Sequence, residues 1–187
     1  MRRNEMARAW QQDDRASLQQ ALRDRPLLIL RYLGGRLCSA DEAEKWRAVR
    51  CIGELCADAA VVPERVLREL LRGFQWLLSD ESGAVPFGVP EAVGEILVHR
   101  PEFQAQELPL LIGLLGETER FQTGPVLEGV LWALERVAAS NPALPVRMLR
   151  LLEASFQEPV AASQAQAVQQ IRHTLIQLGA GSPAKPS

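Results

Sequence analysis

The chain has 187 residues, of which 47% are hydrophobic and 24% are charged, as in a soluble globular protein. Its formal net charge is −2, so it lacks the basic excess that general nucleic-acid binders carry. Apolar runs such as Pro26 to Leu30 are too short to span a bilayer, and the polar N-terminus does not resemble a signal peptide. We therefore expect a cytoplasmic protein that does not associate with membranes.

Hydrophobic periodicity predicts helices along most of the chain, with prolines and glycines at several of the expected boundaries. The helices form pairs at about 4–38, 41–78, 90–115 and 124–157, followed by a helix at about 160–178 with a polar outer face. Within the pairs, the expected helices cover 4–22 and 26–38, 41–59 and 63–78, 90–99 and 104–115, and 124–140 and 144–157. We expect residues 179–187 to form a disordered tail.

The same short apolar pattern returns every 41 residues. Residues 52–55 (IGEL) return as 93–96 (VGEI) and then as 134–137 (LERV). A second apolar track of the same period joins Leu67 to Leu108 and to Leu149. A period near 40 with two helical stripes in each unit is typical of an α-solenoid, in which stacked hairpins cover one another's apolar faces. We therefore expect an all-α solenoid of about four helical hairpins with a C-terminal capping helix.

Two of these units also resemble the HEAT-like repeat family, whose pattern is V-R-x-x-A-A-x-A-L-G-x-I. The residues similar to this pattern are Ala48, Val49, Cys51, Ile52, Gly53 and Leu55, and one unit later Val85, Val89, Ala92, Val93, Gly94 and Ile96. The segment 77–81 is similar to the acidic turn that precedes such repeats. The likeness covers about 40–140, and the stretch 76–97 resembles small bacterial proteins of this kind. Pro86 and Pro90 depart from the pattern, which implies a remodelled entrance to the third unit.

The predicted loop 79–89 interrupts the repeat, and such interruptions tend to fall at functional or strained positions. It carries Asp80, Glu81, Ser82 and Phe87. One interpretation is a binding loop for a partner protein or a small ligand. The other is a structural turn in which Asp80 or Ser82 caps backbone amides and Phe87 enters the core.

Glu91, Glu95 and His99 are spaced four residues apart, so they share one helix face. Their spacing permits a divalent-metal site, but metal ligation favours a second histidine or a tighter set of carboxylates. We therefore expect a solvated polar face without a metal, on which Glu91 and Glu95 are candidate partner-binding residues.

Arg65, Arg68 and Arg72 share a face of the helix predicted over 63–78. Such an arginine stripe is suited to an acidic peptide, a phosphate group or nucleic acid. The alternative is an ordinary surface whose arginines pair with neighbouring glutamates. The 41-residue period places further arginines in register, and the nearby acidic residues complete the set: Arg31, Arg147 and Arg150, with Glu64, Glu69 and Glu153.

The four tryptophans lie in the first, second and fourth predicted pairs, two of them in the second: Trp10, Trp46, Trp76 and Trp132. We expect them to pack in the core or between units. The alternative concerns Trp76, which precedes the predicted loop and is placed to stack on a flat ligand.

The sequence carries no recognised catalytic motif, such as G-x-S-x-G, a P-loop, G-x-G-x-x-G or H-E-x-x-H. Its three cysteines, Cys38, Cys51 and Cys56, do not form a Cys-x-x-Cys pair, and we expect reduced, buried thiols. We expect no cofactor.

These patterns favour a non-enzymatic HEAT-like scaffold or adaptor that binds a protein partner through its concave face and the 79–89 loop. The resemblance leaves two alternatives, because HEAT-like arrays also include alkylpurine DNA glycosylases and subunits of phycobilin lyases. One is a nucleic-acid-binding protein of the glycosylase type, which the low net charge and scarce lysines disfavour. The other is a chromophore or small-molecule lyase subunit, which rests on the fold alone.

Overall fold

The computed structural model describes residues 3–79, 87–116, 125–156 and 162–180. These residues form helices and short connections without any strand, which confirms the all-α prediction for them. A short 3₁₀ helix covers Pro101–Phe103. The α-helices are α1 (Arg3–Gln11), α2 (Arg15–Asp24), α3 (Pro26–Gly34), α4 (Glu42–Cys56), α5 (Glu64–Ser79), α6 (Val89–His99), α7 (Gln104–Leu114), α8 (Pro125–Ser140), α9 (Leu144–Ser155) and α10 (Ala162–Ala180).

The helix expected over 4–22 is wrong, because the chain breaks between α1 and α2. Asp13 adopts a left-handed backbone with φ of 52°, which interrupts the helix there. The side chain of Asp14 then accepts a hydrogen bond of 3.0 Å from the backbone N–H of Ser17 and caps α2. Short acidic side chains compete in this way for nearby backbone groups, so they favour helix starts over helix interiors.

The structure divides into two compact units, and the first comprises Met1–His99. In it α1 packs on α2 and α2 on α3, while α3 also packs on α5 and α4 on α6. The apolar stripe of α5 is buried along its whole length. The core residues of α4 and α5 are Ala48, Val49, Cys51, Ile52, Leu55, Cys56, Val66, Leu67, Leu70, Leu71, Phe74 and Leu78.

The second unit comprises Arg100–Ser187 and contains helices α7 to α10. Helix α7 packs on α8 and α9, and α10 packs on α8 and α9. Val168, Ile171 and Leu175 of α10 are buried, whereas the described glutamines of that helix are exposed. Across the described residues of both units, no helix combines the length and apolar character that a membrane-spanning segment needs.

The 41-residue period is reflected in which side chains are buried. The first apolar track is buried at all four positions, Ile52, Val93, Leu134 and Leu175. In the second track Leu67 and Leu108 are fully buried, but Leu149 is only half-buried, because Met148 takes the core position beside it. Alternate helices also pack together, α3 on α5 and α4 on α6 in one unit, α7 on α9 and α8 on α10 in the other. A continuous solenoid remains a prediction.

The packing of α4 on α6 depends on Gly53. A Cβ atom built at this glycine would lie 2.8 Å from the Cβ of Glu95 and 3.3 Å from Cδ2 of His99. These distances are below van der Waals contact, so the glycine allows the two helices to approach more closely than any other residue would permit. The glycine of the repeated pattern therefore has a packing role here.

We predict that Gly53→Ala lowers the free energy of unfolding by about 1–2 kcal/mol, because overpacking between α4 and α6 outweighs the gain in helix propensity. Urea denaturation of the purified chain measures the change. Gly73→Ala is the matched control, since a Cβ at this position in α5 would have no packing neighbour within 4 Å outside its own helix backbone in the described part of the chain. The control substitution should raise the free energy of unfolding by about 0.5–1 kcal/mol. Equal changes in the free energy of unfolding for the two substitutions would contradict the close packing at Gly53.

Candidate functional site

A charged groove runs along α5 in the first unit. Its volume is about 580 Å³, and we call it the α5 arginine face; it is lined by Glu64, Arg65, Arg68, Glu69 and Arg72. The position of these residues follows from the apolar stripe of α5, because burying that stripe turns the opposite side of the helix to solvent.

Two ion pairs occupy part of the α5 arginine face. Nη2 of Arg68 lies 2.6 Å from Oε1 of Glu64, which is on the preceding turn of α5. Nη2 of Arg31 in α3 lies 3.0 Å from Oε1 of Glu69. All four side chains are 43–70% exposed, so each pair contributes little to stability. The expected pairing of arginines with neighbouring glutamates is therefore confirmed for Arg68 and Arg31.

Arg65 and Arg72 differ from these arginines. Both are exposed, and neither lies within 4 Å of a carboxylate among the residues that the structure describes. With Arg31, the face carries four arginines and two glutamates, and the excess charge resides on Arg65 and Arg72. An exposed guanidinium with no carboxylate partner is available to form a bidentate contact with a carboxylate or phosphate ligand.

Trp76 extends the same surface towards the C-terminal end of α5. Its side chain is 64% exposed, so the packing expected for it is wrong. Trp10, by contrast, is buried as expected, and Trp46 and Trp132 are partly buried. An exposed tryptophan one turn beyond Arg72 adds a large apolar surface that a ligand can cover.

Glu91 and Glu95 lie in a different environment, at the interface between α6 and α4. Both are buried, at 3% and 7% exposure, so the expected solvated polar face is wrong. The face that they share with His99 is turned towards α4, where Gly53 and Lys45 lie. Neither carboxylate is therefore available on the surface for a partner.

Lys45 is the charged neighbour of Glu91, and the sequence interpretation missed it. Its Nζ lies 3.8 Å from Oε1 of Glu91 and 2.9 Å from Oε2 of Glu42. The other carboxylate oxygen of Glu91 is buried and has no hydrogen-bond partner within the described ranges. Lys45 shares a helix face with Val49 and Gly53 at four-residue spacing, and this was the signal that could have placed it opposite α6.

The pKa of Glu91 is raised, chiefly because burial penalises the charged carboxylate, although Lys45 opposes the shift. The nearby Glu42 adds to the increase. Glu44 shows the reverse behaviour, since hydrogen bonds from Ser39 and Trp10 and the charge of Arg36 lower its pKa. Glu91 and Glu44 thus affect the pH dependence of stability in opposite directions.

Within the described residues, the histidine, cysteine and acidic side chains that could serve in catalysis or metal binding do not form a common site. His99 lies 3.7 Å from Oε2 of Glu95, but no group of three or more His, Cys, Asp and Glu side chains there could hold a metal ion. None of Cys38, Cys51 and Cys56 forms a disulfide bond. Burial raises the pKa of Cys51 to about 11, which keeps this thiol protonated and unreactive at neutral pH. Cys38 is exposed, so its expected burial is wrong.

The remaining predicted candidates are divided between exposed and undescribed positions. Asp80, Glu81 and Ser82 lie outside the described residues. Phe87 is 36% exposed just before α6, so the expectation that it enters the core is wrong. In the second unit Arg147 and Arg150 are exposed on α9, and Glu153 pairs with Arg172 of α10 at 3.5 Å.

The chain matches no protein-family model, no curated protein and no solved structure. The resemblance to HEAT-like repeats therefore remains a prediction from the sequence. What the chain binds has to be argued from its own surface.

The opposite pKa shifts of Glu91 and Glu44 predict opposite pH effects in two variants. Because the raised pKa of Glu91 lets the folded chain hold a proton that the unfolded chain has lost, wild-type stability falls as pH rises from about 4.5 through that pKa. Glu91→Gln removes this loss, so the thermal stability of the variant relative to wild type should increase as pH rises from about 4.5 through the raised pKa of Glu91.

Glu44→Gln is the control for this effect. The lowered pKa of Glu44 stabilises the wild type above about pH 4.5, and this stabilisation is lost as pH falls. Thermal melts of Glu44→Gln should therefore show a deficit relative to wild type that grows with pH. A difference between Glu91→Gln and wild type that is constant with pH would show that Glu91 is not held in the buried site described above.

Proposed function

We propose that this chain is a non-enzymatic helical adaptor that binds an acidic segment of a protein partner through the α5 arginine face. The single observation that carries the proposal is the pair of exposed arginines, Arg65 and Arg72, without a carboxylate partner in the described residues. A ligand carboxylate at each position would supply the missing counter-charge.

The glutamates of the face support a protein ligand over nucleic acid. Glu64 and Glu69 lie among the arginines and each already holds one of them. A nucleic-acid backbone presents closely spaced phosphates, so it would place negative charge against both glutamates. An acidic protein segment can place its carboxylates only where the free guanidinium groups are.

Nucleic acid remains the second candidate, because Trp76 is exposed beside arginines. Single-stranded nucleic acids bind by stacking bases on such aromatic side chains within a cationic groove. The charged lining of the groove gives no support to an apolar chromophore as ligand. The packing of alternate helices within each unit, α3 on α5 and α7 on α9, supports the proposed HEAT-like adaptor architecture.

We predict that the chain binds fluorescein-labelled poly-glutamate in an anisotropy titration at low ionic strength, and that added salt weakens the complex. Arg65→Glu combined with Arg72→Glu should reduce the affinity at least about tenfold, because two attractive contacts become repulsive. Labelled single-stranded DNA of equal length, titrated in parallel, separates the second candidate from the first.

The matched control is Arg147→Glu combined with Arg150→Glu, which makes the same change in net charge on the exposed side of α9. This variant should retain most of the affinity for poly-glutamate. An equal loss in both double variants would mean that only net charge matters. Tighter binding of DNA than of poly-glutamate would favour the nucleic-acid alternative.

A further inference from the structure

We infer that the acidic segment is itself an α-helix, with two carboxylates seven residues apart and an apolar side chain four residues beyond. This inference rests on the proposed function, and it specifies the geometry of the partner. It follows from the spacing of Arg65, Arg72 and Trp76 along one side of α5.

The two arginines set the spacing of the carboxylates. Arg65 and Arg72 are seven residues apart, so they are separated by about 10.5 Å along the helix axis and by only about 20° around it. A partner helix with carboxylates seven residues apart reproduces the same separation on one face. In an extended strand, side chains on one face lie about 6.6 or 13 Å apart, and neither distance fits.

The ion pairs of the face restrict the partner to these two contacts. Arg68 is engaged by Glu64 at 2.6 Å, and Glu69 by Arg31 at 3.0 Å. A third carboxylate placed midway between Arg65 and Arg72 would lie close to these glutamates and be repelled. Two carboxylates therefore suffice for the contact with Arg65 and Arg72, and any carboxylate of a longer acidic run that lies between them adds no further contact.

Trp76 defines the apolar part of the contact. It lies four residues, or about 6 Å, beyond Arg72 and within about 40° of the same line along α5. Its indole is 64% exposed and offers an apolar surface to a partner side chain in the corresponding position. A helix that places carboxylates on Arg65 and Arg72 brings a residue four positions further on to this indole.

The test compares alanine-rich helical peptides of equal composition. The first peptide carries two glutamates seven residues apart. One leucine lies four residues before the first glutamate and another lies four residues after the second, so that a leucine can reach Trp76 whether the peptide binds parallel or antiparallel to α5. A second moves one glutamate so that the two lie on opposite faces, and a third contains a central proline that breaks the helix. Fluorescence anisotropy should show roughly tenfold tighter binding of the first peptide than of the other two.

Trp76→Ala tests the apolar contact by a double-mutant cycle with the peptide whose leucines are replaced by alanine. The substitution should weaken the binding of the leucine peptide several-fold and leave the affinity for the alanine peptide nearly unchanged. Trp76 is exposed, so the variant should fold normally, and circular dichroism checks this.

The outcomes separate the two proposals. If poly-glutamate binds through Arg65 and Arg72 but the three peptides bind equally well, the helical partner is overturned and the proposed function stands. If neither poly-glutamate nor any peptide binds, both proposals fail. Preference for the first peptide that persists in the variant Arg65→Glu/Arg72→Glu would also overturn the inference, because the helix would then be bound elsewhere.

Discussion

The close contact between α4 and α6 is the constraint on which the first unit depends. Gly53 removes the side chain that would separate the two helices, and Glu95 packs against the space that it leaves. The same contact buries Glu91 beside Lys45. Because α6 also packs on α5, the apolar stripe of α5 is enclosed and its charged side is left outside. The α5 arginine face is thus a consequence of how the helices are buried.

The charges of this unit fall into two groups with different physical roles. Glu91 is held in a buried site where one of its oxygens has no hydrogen-bond partner among the residues whose structure is described, so it weakens the folded state when ionised. The arginines of α5 are solvated, so their pairing adds little stability. Their unbalanced charge instead favours association with an acidic ligand, for which complementary charge improves both encounter rate and specificity.

The helices themselves could be predicted well, because amphipathic periodicity and prolines mark their positions. The boundaries expected for α6 and α7 lie within one residue of those observed. The break after α1 was missed, since periodicity does not report that Asp13 takes a left-handed backbone. The arginine face was predicted because an arginine at helical spacing opposite an apolar stripe has to be exposed.

The sequence did not show which side chains of a given helix face are covered by a neighbouring helix. Glu91 and Glu95 share a face, as their spacing requires, but only the packing of α4 shows that the face is covered. Trp76 presented the opposite problem, because a tryptophan is usually buried and only the position of the neighbouring helices leaves it exposed. In both cases local pattern fixes which residues lie together, and tertiary contacts decide whether water reaches them.

Nuclear magnetic resonance of side-chain N–H groups tests the binding face most directly. On titration with an acidic peptide, the Nε–H signals of Arg65 and Arg72 and the indole N–H of Trp76 should shift together. The indole of Trp10, which donates a hydrogen bond of 3.1 Å to Glu44, should stay unchanged and serves as an internal reference. Shifts confined to other arginines, such as Arg147 and Arg150, would contradict binding at the α5 arginine face.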